Sequence, residues 1–266
     1  SQFHRNFIQV AKANIFAQFM IIVFTPVLTR FYTPNDFGVL AIFSSYLGIL
    51  SAFSAWRFDW SLPNANSNKE ASSLFMIGLV FLSSFCSFFL ILSFNIVKIE
   101  TNWQSFEISK PFLLFLPVAL FGNCFYNLLL AWYIRKNDLS AVSQTKIIQS
   151  ILSIVISIIG GLFSLGAFGL IISSVFSTIV GASLLYRYAD DLKENVKNIS
   201  LNYIKNTLCV FGWESTLSSI SSTVNNASLM LPTLLLSQFY STKEIGWYSL
   251  MHRIAISPAS LITSAI

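Results

Sequence analysis

Charged side chains are scarce in this chain: Asp, Glu, Lys and Arg make up only 10% of its 266 residues. Soluble domains usually carry about 25% charged residues. Hydrophobic residues reach 55%, and 26 of them are Phe. Apolar runs of about 20 residues recur along the whole length, and each can cross a hydrocarbon core of about 30 Å as a helix. The composition excludes a soluble globular enzyme and predicts an all-α polytopic membrane protein.

Residue types that carry catalysis or bind metals are also few. There are two His and three Cys. Cys86, Cys124 and Cys209 fall in or beside apolar runs and share no metal or redox spacing. No glycine-rich phosphate loop occurs. We therefore expect no cofactor, no metal and no catalytic residues, and we expect the chain not to be an enzyme.

Eight apolar stretches predict about eight transmembrane helices, with Trp and Tyr near their ends as in an interfacial aromatic belt. Continuous apolar blocks of this length do not fit the alternating strands of a barrel. The predicted spans are Phe7–Thr29, Phe37–Ser54, Ala71–Ile96, Pro111–Tyr133, Lys146–Leu165, Phe168–Tyr186, Leu208–Ser237 and Ile245–Ile266.

Lys and Arg are distributed unevenly between alternate loops. One set of loops, in which we count Lys12 and Lys146, holds eleven of them, whereas the other set holds four. The positive-inside rule then places the N-terminus and the first set in the cytoplasm. The net charge of +5 is therefore topological, and we expect no nucleic-acid partner.

The longest polar loop, residues 187–206, mixes both charge signs and lies on the predicted cytoplasmic side. It predicts a linker between an N-terminal six-helix half, residues 1–186, and the first two helices of a C-terminal half, residues 207–266. Because the sequence stops within an apolar stretch, we expect a longer protein whose second half continues through further helices.

A short sequence motif, called here the repeated phrase, occurs twice. "RFYTPNDFGVL" begins at Arg30, and "QFYSTKEIGWY" begins at Gln238, 208 residues later. The offset carries the first predicted span onto the seventh and the second onto the eighth, with the same direction through the bilayer. This predicts a parallel repeat whose two halves enclose a central cavity.

Polar residues follow the same repeat. Asn14 and Gln18 lie four apart on one face of the first span, and adding 208 gives Ser222 and Asn226. Polar stripes are costly against lipid, so each should face a cavity or another helix. A substrate-facing role and plain helix–helix hydrogen bonding both remain open for these residues.

At this point the sequence resembles polysaccharide biosynthesis and export proteins, the Wzx-type O-antigen or capsule-repeat flippases of the multidrug/oligosaccharidyl-lipid/polysaccharide exporter superfamily. The resemblance rests on four stretches, of which the first and last are the most specific. They read "TPVLTRFYTPNDFGVLAIFSSYLGIL", "AWRFDWSLPNANSNKEASSLF", "AWYIRKNDLSAVSQTKIIQSILSIVISIIGGL" and "EIGWYSLMHRIAISPASLITSAI".

The resemblance implies a transporter of undecaprenyl-diphosphate-linked oligosaccharide in the bacterial inner membrane. It implies two helical halves and no cofactor. Its implied partners are the lipid-linked oligosaccharide, membrane lipids, and a polysaccharide polymerase with its chain-length partner.

Two cations near predicted spans suit an anionic cargo. Arg253 lies inside the eighth span, where a charge costs about 2.5–3.5 kcal/mol on insertion scales, and a guanidinium binds phosphate in two-pronged fashion. Lys12 is placed to line the cytoplasmic mouth of the cavity. The alternative for both is a side chain that reaches the interface without touching substrate. His252 points away from Arg253 and fits an interfacial role.

Further candidates are weaker. Glu214 is the carboxylate nearest the interior of a span and is a candidate for ion coupling, against a structural or solvated role. Asn123 and Asn127 repeat the four-residue spacing and suit either sugar hydroxyls or another helix. Arg57 and Asp59 resemble a basic-x-acidic pair found at this place in the family, for which local ion pairing is the favoured role.

Rival functions follow from the same composition. A drug/cation antiporter should carry acidic cavity residues, whereas the candidates here are mainly basic. A lipid II flippase of the same superfamily stays open. A polytopic polymerase or acyltransferase would need a catalytic constellation, often in a large outer loop, and the predicted outer loops are short. A channel would need a filter-like segment, and none is seen.

Overall fold

The computed structural model describes residues 2–98, 110–197 and 199–263, and the part of the chain that it describes is helical. The predicted outer loop around Trp103 and the last residues of the eighth predicted span, 264–266, lie outside it. Within these ranges there are ten α-helices, and a 3₁₀ turn, Leu62–Asn64, follows the third. These are α1 Gln2–Phe31, α2 Pro34–Ser54, α3 Phe58–Ser61, α4 Asn68–Lys98, α5 Lys110–Arg135, α6 Leu139–Leu162, α7 Ala167–Arg187, α8 Asp190–Lys197, α9 Leu201–Phe239 and α10 Thr242–Thr263.

Six helices within the described residues are long and apolar enough to cross a membrane: α1, α2, α4, α5, α6 and α7. They coincide with the first six predicted spans and confirm a polytopic, all-α protein. The two long helices α9 and α10 occupy the seventh and eighth predicted spans but are not among the six. Their sequences are richer in polar residues, so their crossing of the membrane stays a prediction.

The predicted linker contains a short helix. Asp190 and Asp191 lie in the first turn of α8 and Lys197 in its last turn, so the charges complement the helix dipole. Leu192 is buried, on a helix that contacts α4, while Lys193 pairs with Asp190 at 2.8 Å on the exposed side. The division of the chain into two halves about this segment stays a prediction.

The contacts divide the chain into two compact units. The first contains α1, the start of α2, α6, α7, the end of α9, and α10. The second contains the rest of α2 with α3, α4, α5, α8 and the larger part of α9. In the first unit, α6 packs against both α1 and α7.

Small residues bring α6 and α7 together. Gly160 and Gly169 face each other so closely that a Cβ on either would meet the backbone of the other. The Ser157 hydroxyl donates to the Ser173 hydroxyl at 2.8 Å. Close backbone approach through small side chains is the usual way that membrane helices associate.

Tyr32 inserts over this hairpin. Its hydroxyl donates to the Ser157 carbonyl at 2.6 Å and lies against Gly160 and Gly169. With 3% of its surface exposed, Tyr32 joins a buried cluster with Leu28, Phe37, Leu170 and Leu250. Tyr32 therefore does not present its ring at the surface, as the predicted aromatic belt near span ends would, because α6 and α7 cover the ring. Its neighbour Phe31 is exposed.

Both copies of the repeated phrase form the same helix start. The Asp36 carboxylate accepts from the Thr33 backbone amide at 2.8 Å and from the Thr33 hydroxyl at 2.7 Å. The Glu244 carboxylate accepts from the Ser241 amide at 2.8 Å and from its hydroxyl at 3.0 Å. This is the capping box, in which the third helical residue satisfies the amide of the N-cap.

The two helix starts also touch each other. A Cβ on Gly38 would overlap the Thr242 carbonyl, and a Cβ on Gly246 would overlap the Pro34 carbonyl. Positions 34 and 242, like 38 and 246, differ by the repeat offset. α2 and α10 therefore cross through two equivalent glycines, in a contact that is the same seen from either helix.

The second unit holds the short α3 between larger helices. Phe58 and Leu62 are fully buried. The Trp56 indole donates to the Thr216 hydroxyl of α9 at 3.0 Å, and the Ser61 hydroxyl lies 3.3 Å from that of Ser215. These contacts tie the turn after α2 to the first part of α9.

Candidate functional site

Lys146 lies in the first unit, on α6, one of the helices that are long and apolar enough to cross a membrane. Its ammonium donates to the Asn14 side-chain oxygen at 2.8 Å, and the side chain is half-buried. The fifth predicted span begins at Lys146, which was also counted with the loop cations, whereas α6 begins two turns earlier, at Leu139, so Lys146 stands within a helix. Its place on the cytoplasmic side stays a prediction. Within the described residues no carboxylate pairs with Lys146, so its one polar partner there is a neutral amide.

The α1 stripe largely faces a helix. Thr25 is buried, and its hydroxyl donates back to the Ile21 carbonyl at 2.6 Å. Asn14 meets Lys146 of α6 as described, and Gln18 is half-buried. Lys12 is exposed. Asn14 therefore accepts a hydrogen bond from another helix, and the donor is the Lys146 ammonium.

The α9 stripe is weaker in its contacts. The Asn226 amide donates to the Gly48 carbonyl of α2 at 3.4 Å, the long end of hydrogen bonding. Ser222 is half-buried. The Ser219 hydroxyl is buried without a hydrogen-bond partner in the described structure. The two predicted stripes thus both reach other helices, but only the α1 stripe meets a charge.

Glu214 is exposed on α9. The next two residues, Ser215 and Thr216, turn inward to contact Ser61 and Trp56. Glu214 therefore stands on a different face of the helix from the residues that pack. Its role in ion coupling stays a prediction.

Asn123 and Asn127 are half-buried on α5. Between them Cys124 is buried, with its sulfur 2.7 Å from the Ser54 hydroxyl. Its thiol also points at the Ser51 carbonyl, at 3.6 Å. This face of α5 therefore packs on the end of α2, and the contact of either Asn with sugar stays a prediction. The thiol acts as a small packing group.

Arg253 lies on α10 and is half-buried. His252 beside it is exposed, with its ring 5.7 Å from that of Tyr248. The different exposure of these two neighbours agrees with the rotation of about 100° between consecutive helical residues. Phosphate binding by Arg253 stays a prediction.

Arg57 and Asp59 form the local ion pair expected from the sequence. The Arg57 guanidinium lies 3.6 Å from the Asp59 carboxylate, and its central carbon sits 5.3 Å from the Trp60 ring centre. Burial raises the pKa of Asp59, while Arg57 and nearby backbone amides act to lower it. The turn that holds the pair has positive φ at two consecutive non-glycine residues, Trp56 at 48° and Arg57 at 53°.

Sequence reasoning missed two features of the candidate site: the helical position of the cation Lys146, and the enclosed setting of the Asp59 carboxylate. The polar run at residues 139–146, ahead of an apolar stretch, was the available signal for Lys146, but such a run also fits a loop.

The structure separates the candidate residues into two groups, one in each compact unit. The first unit holds Lys12, Asn14, Gln18 and Arg253 with Lys146; the second holds Asn123, Asn127, Glu214, Ser222 and Asn226 with Arg57 and Asp59.

Comparison with known proteins gives one family. A family model described as "Polysaccharide biosynthesis protein" matches residues 27–266. Neither the search of curated proteins nor the search of solved structures gives a significant match. The match covers both copies of the repeated phrase and the whole of α2 to α10.

Proposed function

This chain belongs to the polysaccharide biosynthesis protein family, and from that premise we propose that it is a flippase for undecaprenyl-diphosphate-linked oligosaccharide. The cargo would move from the cytoplasmic to the periplasmic leaflet of the bacterial inner membrane, for O-antigen or capsule synthesis. The N-terminus would lie in the cytoplasm. No covalent bond would be made or broken, so the chain would act as a transporter and not as an enzyme.

The observation that carries the proposal is the cation inside the apolar span α6. Lys146 has Asn14 as its polar partner at 2.8 Å, and within the described residues no carboxylate neutralises it. An uncompensated ammonium in a membrane span is costly and usually marks a substrate or ion path. A diphosphate headgroup would supply the missing negative charge.

The remaining candidates fit the same cargo. Arg253 is half-buried on α10 and Lys12 is exposed on α1, and both would favour an anionic headgroup. The half-buried Gln18, Asn123 and Asn127 offer both donors and acceptors, as sugar hydroxyls require. The prenyl tail would stay in the bilayer. A polysaccharide polymerase and a chain-length partner would receive the translocated units.

The test is transport by charge variants of Lys146. The chain would be reconstituted in vesicles with a fluorescent polyprenyl-diphosphate oligosaccharide, and translocation measured by accessibility to a membrane-impermeant quencher. A hydrogen bond to a charged group contributes about 1.5–3 kcal/mol, so Lys146→Gln should lower apparent affinity about 10–100-fold. Lys146→Arg should retain most of it. Lys243→Gln, at an exposed position of α10, is the matched control.

Two outcomes would contradict the proposal. The first is unchanged translocation in Lys146→Gln together with Arg253→Ala. The second is cation efflux that requires Glu214 in the absence of any lipid translocation, which would make the chain a drug/cation antiporter.

A further inference from the structure

The turn between α2 and α4 carries an unusual backbone. Trp56 and Arg57 both adopt positive φ, at 48° and 53°, a region that side chains rarely occupy. Non-glycine residues in this conformation persist only where the surroundings hold them, and they cluster at functional sites. Here the Trp56 indole is fixed by its bond to Thr216 at 3.0 Å and by stacking on Phe81 at 5.6 Å.

The ion pair that this turn presents is incomplete. Arg57 and Asp59 approach to 3.6 Å, longer than a charge-assisted hydrogen bond. Their side chains are only 24% and 17% exposed. The Arg57 Nε and one carboxylate oxygen of Asp59 are buried and have no hydrogen-bond partner in the described structure. Buried polar groups are almost always bonded, so each exception needs an explanation.

Among the described residues, Arg57 is the one charge that acts on Asp59. On α5, the Cys124 sulfur lies 2.7 Å from the Ser54 hydroxyl. At the end of α5, Arg135 is engaged with the Ala65 carbonyl and with the Asn68 side chain.

The carboxylates on the neighbouring helices do not compete for this site. On α4, Glu70 caps the Asn66 amide at 2.7 Å. On α9, Glu214 is exposed. Cys86 of α4 is buried. In the part of the chain that the structure describes, Asp59 is therefore a largely buried carboxylate with a single, loosely placed counter-charge.

We infer that Asp59 is a proton-binding site, and that a proton on Asp59 releases the Arg57 guanidinium to bind a phosphate group of the cargo. A neutral carboxylic acid leaves a smaller desolvation cost than a half-paired carboxylate. Burial raises the pKa of Asp59, which agrees with proton binding at this carboxylate. Stacking on Trp60 at 5.3 Å keeps the released guanidinium in place.

Thermodynamic linkage makes the effect reciprocal. If protonation raises the affinity of Arg57 for a phosphate group, bound phosphate must raise proton affinity at Asp59 by the same factor. The site would thus couple a proton to an anionic cargo. The linkage rests on the proposed function, whereas the proton site itself does not.

Infrared spectroscopy of the full chain in nanodiscs tests the proton site without cargo. A carboxylic-acid carbonyl band should grow between neutral and mildly acidic pH in the wild type and should be missing in Asp59→Asn. Glu194→Gln, which removes an exposed carboxylate of α8 in the same unit, should leave this band unchanged. Loss of the band in Glu194→Gln, or its persistence in Asp59→Asn, would overturn the proton site. If Asp59→Asn fails to fold, Asp59→Glu should keep the band with a shifted midpoint.

Binding of a short isoprenyl diphosphate to the same nanodiscs tests the linkage. Wild type should bind at least about fivefold more tightly at mildly acidic than at neutral pH, within the usual range of coupling. Asp59→Asn should bind tightly at both pH values and Arg57→Gln weakly at both. Dependence on sodium in place of pH would overturn the inference. Absence of diphosphate binding in wild type, with the infrared band intact, would refute the proposed cargo and the linkage while supporting the proton site.

Discussion

The two copies of the repeated phrase agree at the turn and diverge beside it. Thr33 with Asp36 and Ser241 with Glu244 form the same capping box, with the same 2.8 Å bond to the N-cap amide. Yet Tyr32 is buried, while its equivalent Tyr240 is 55% exposed. The two copies therefore share the capping geometry of the turn and differ in how deeply the neighbouring Tyr is buried against other helices.

The helices that precede the two turns differ in the same way. α1 carries a span apolar enough to cross the membrane, whereas α9 does not reach that level. On α1, Asn14 receives a bond from a cation, and on α9, Asn226 gives a long bond to a backbone carbonyl. The two helix starts are alike, while the polar contacts of the helices that precede them differ.

The largest effect is expected at the glycine crossing, where the comparison predicts equality. Gly38→Leu and Gly246→Leu each force a side chain into the facing carbonyl, and overpacking of this kind costs about 1–3 kcal/mol or more. Both variants should lose a similar amount of thermal stability in detergent. Gly212→Ala is the control, since a Cβ there meets no atom within 4 Å and Ala is the better helix former. A large difference between the two Leu variants would break the symmetry claimed for this contact.

The next effect should be unequal between the copies. Asn14→Leu removes the polar partner of Lys146 and leaves a half-buried cation, which costs about 1–3 kcal/mol. Asn226→Leu removes one long bond, and interhelical bonds in membranes average about 0.6 kcal/mol. Denaturant unfolding in micelles measures both. Lys146→Leu added to Asn14→Leu should recover much of the loss, because the double variant has no orphaned charge. Equal losses in the two single variants would contradict the asymmetry.

A more local effect, again equal between the copies, is expected at the helix starts. Asp36→Ala and Glu244→Ala each remove the acceptor of the N-cap amide, at a cost of about 1 kcal/mol. Hydrogen exchange should show faster exchange of the first amides of α2 and α10, with the rest of each helix unchanged. Asn35→Ala, at an exposed position of the same turn, should have no such effect. A cooperative loss of the whole helix would show that the turn does more than cap.

Hydropathy alone predicted most of the helices, because six spans satisfy their backbone internally and read as continuous apolar blocks. It could not place the start of α6. Ser140, Ser143 and Thr145 look like loop residues, but Ser143 bonds back to the Leu139 carbonyl at 2.8 Å and Thr145 is buried. The fifth predicted span was therefore begun at Lys146, which was counted with the loop cations, although α6 begins two turns earlier.

The facing of side chains was harder to predict than the helices themselves. Glu214 and Asp59 are both acids near helix ends in the sequence, yet one is exposed and the other enclosed. The difference depends on Trp56 and on contacts between residues more than 150 positions apart, as between Ser61 and Ser215. The sequence shows that Gly38 and Gly246 occupy equivalent positions of the repeat. It does not show that the two helix starts contact each other through these glycines.

The crossing of α2 and α10 has a consequence for symmetry. An isologous contact uses the same patch on both sides, so one gene for a half-length chain suffices to form it as a two-fold dimer. Here the patch pairs Gly38 with the backbone at Thr242 and Gly246 with the backbone at Pro34. The same patch therefore occurs twice in one chain, with the reciprocal geometry of a two-fold dimer interface.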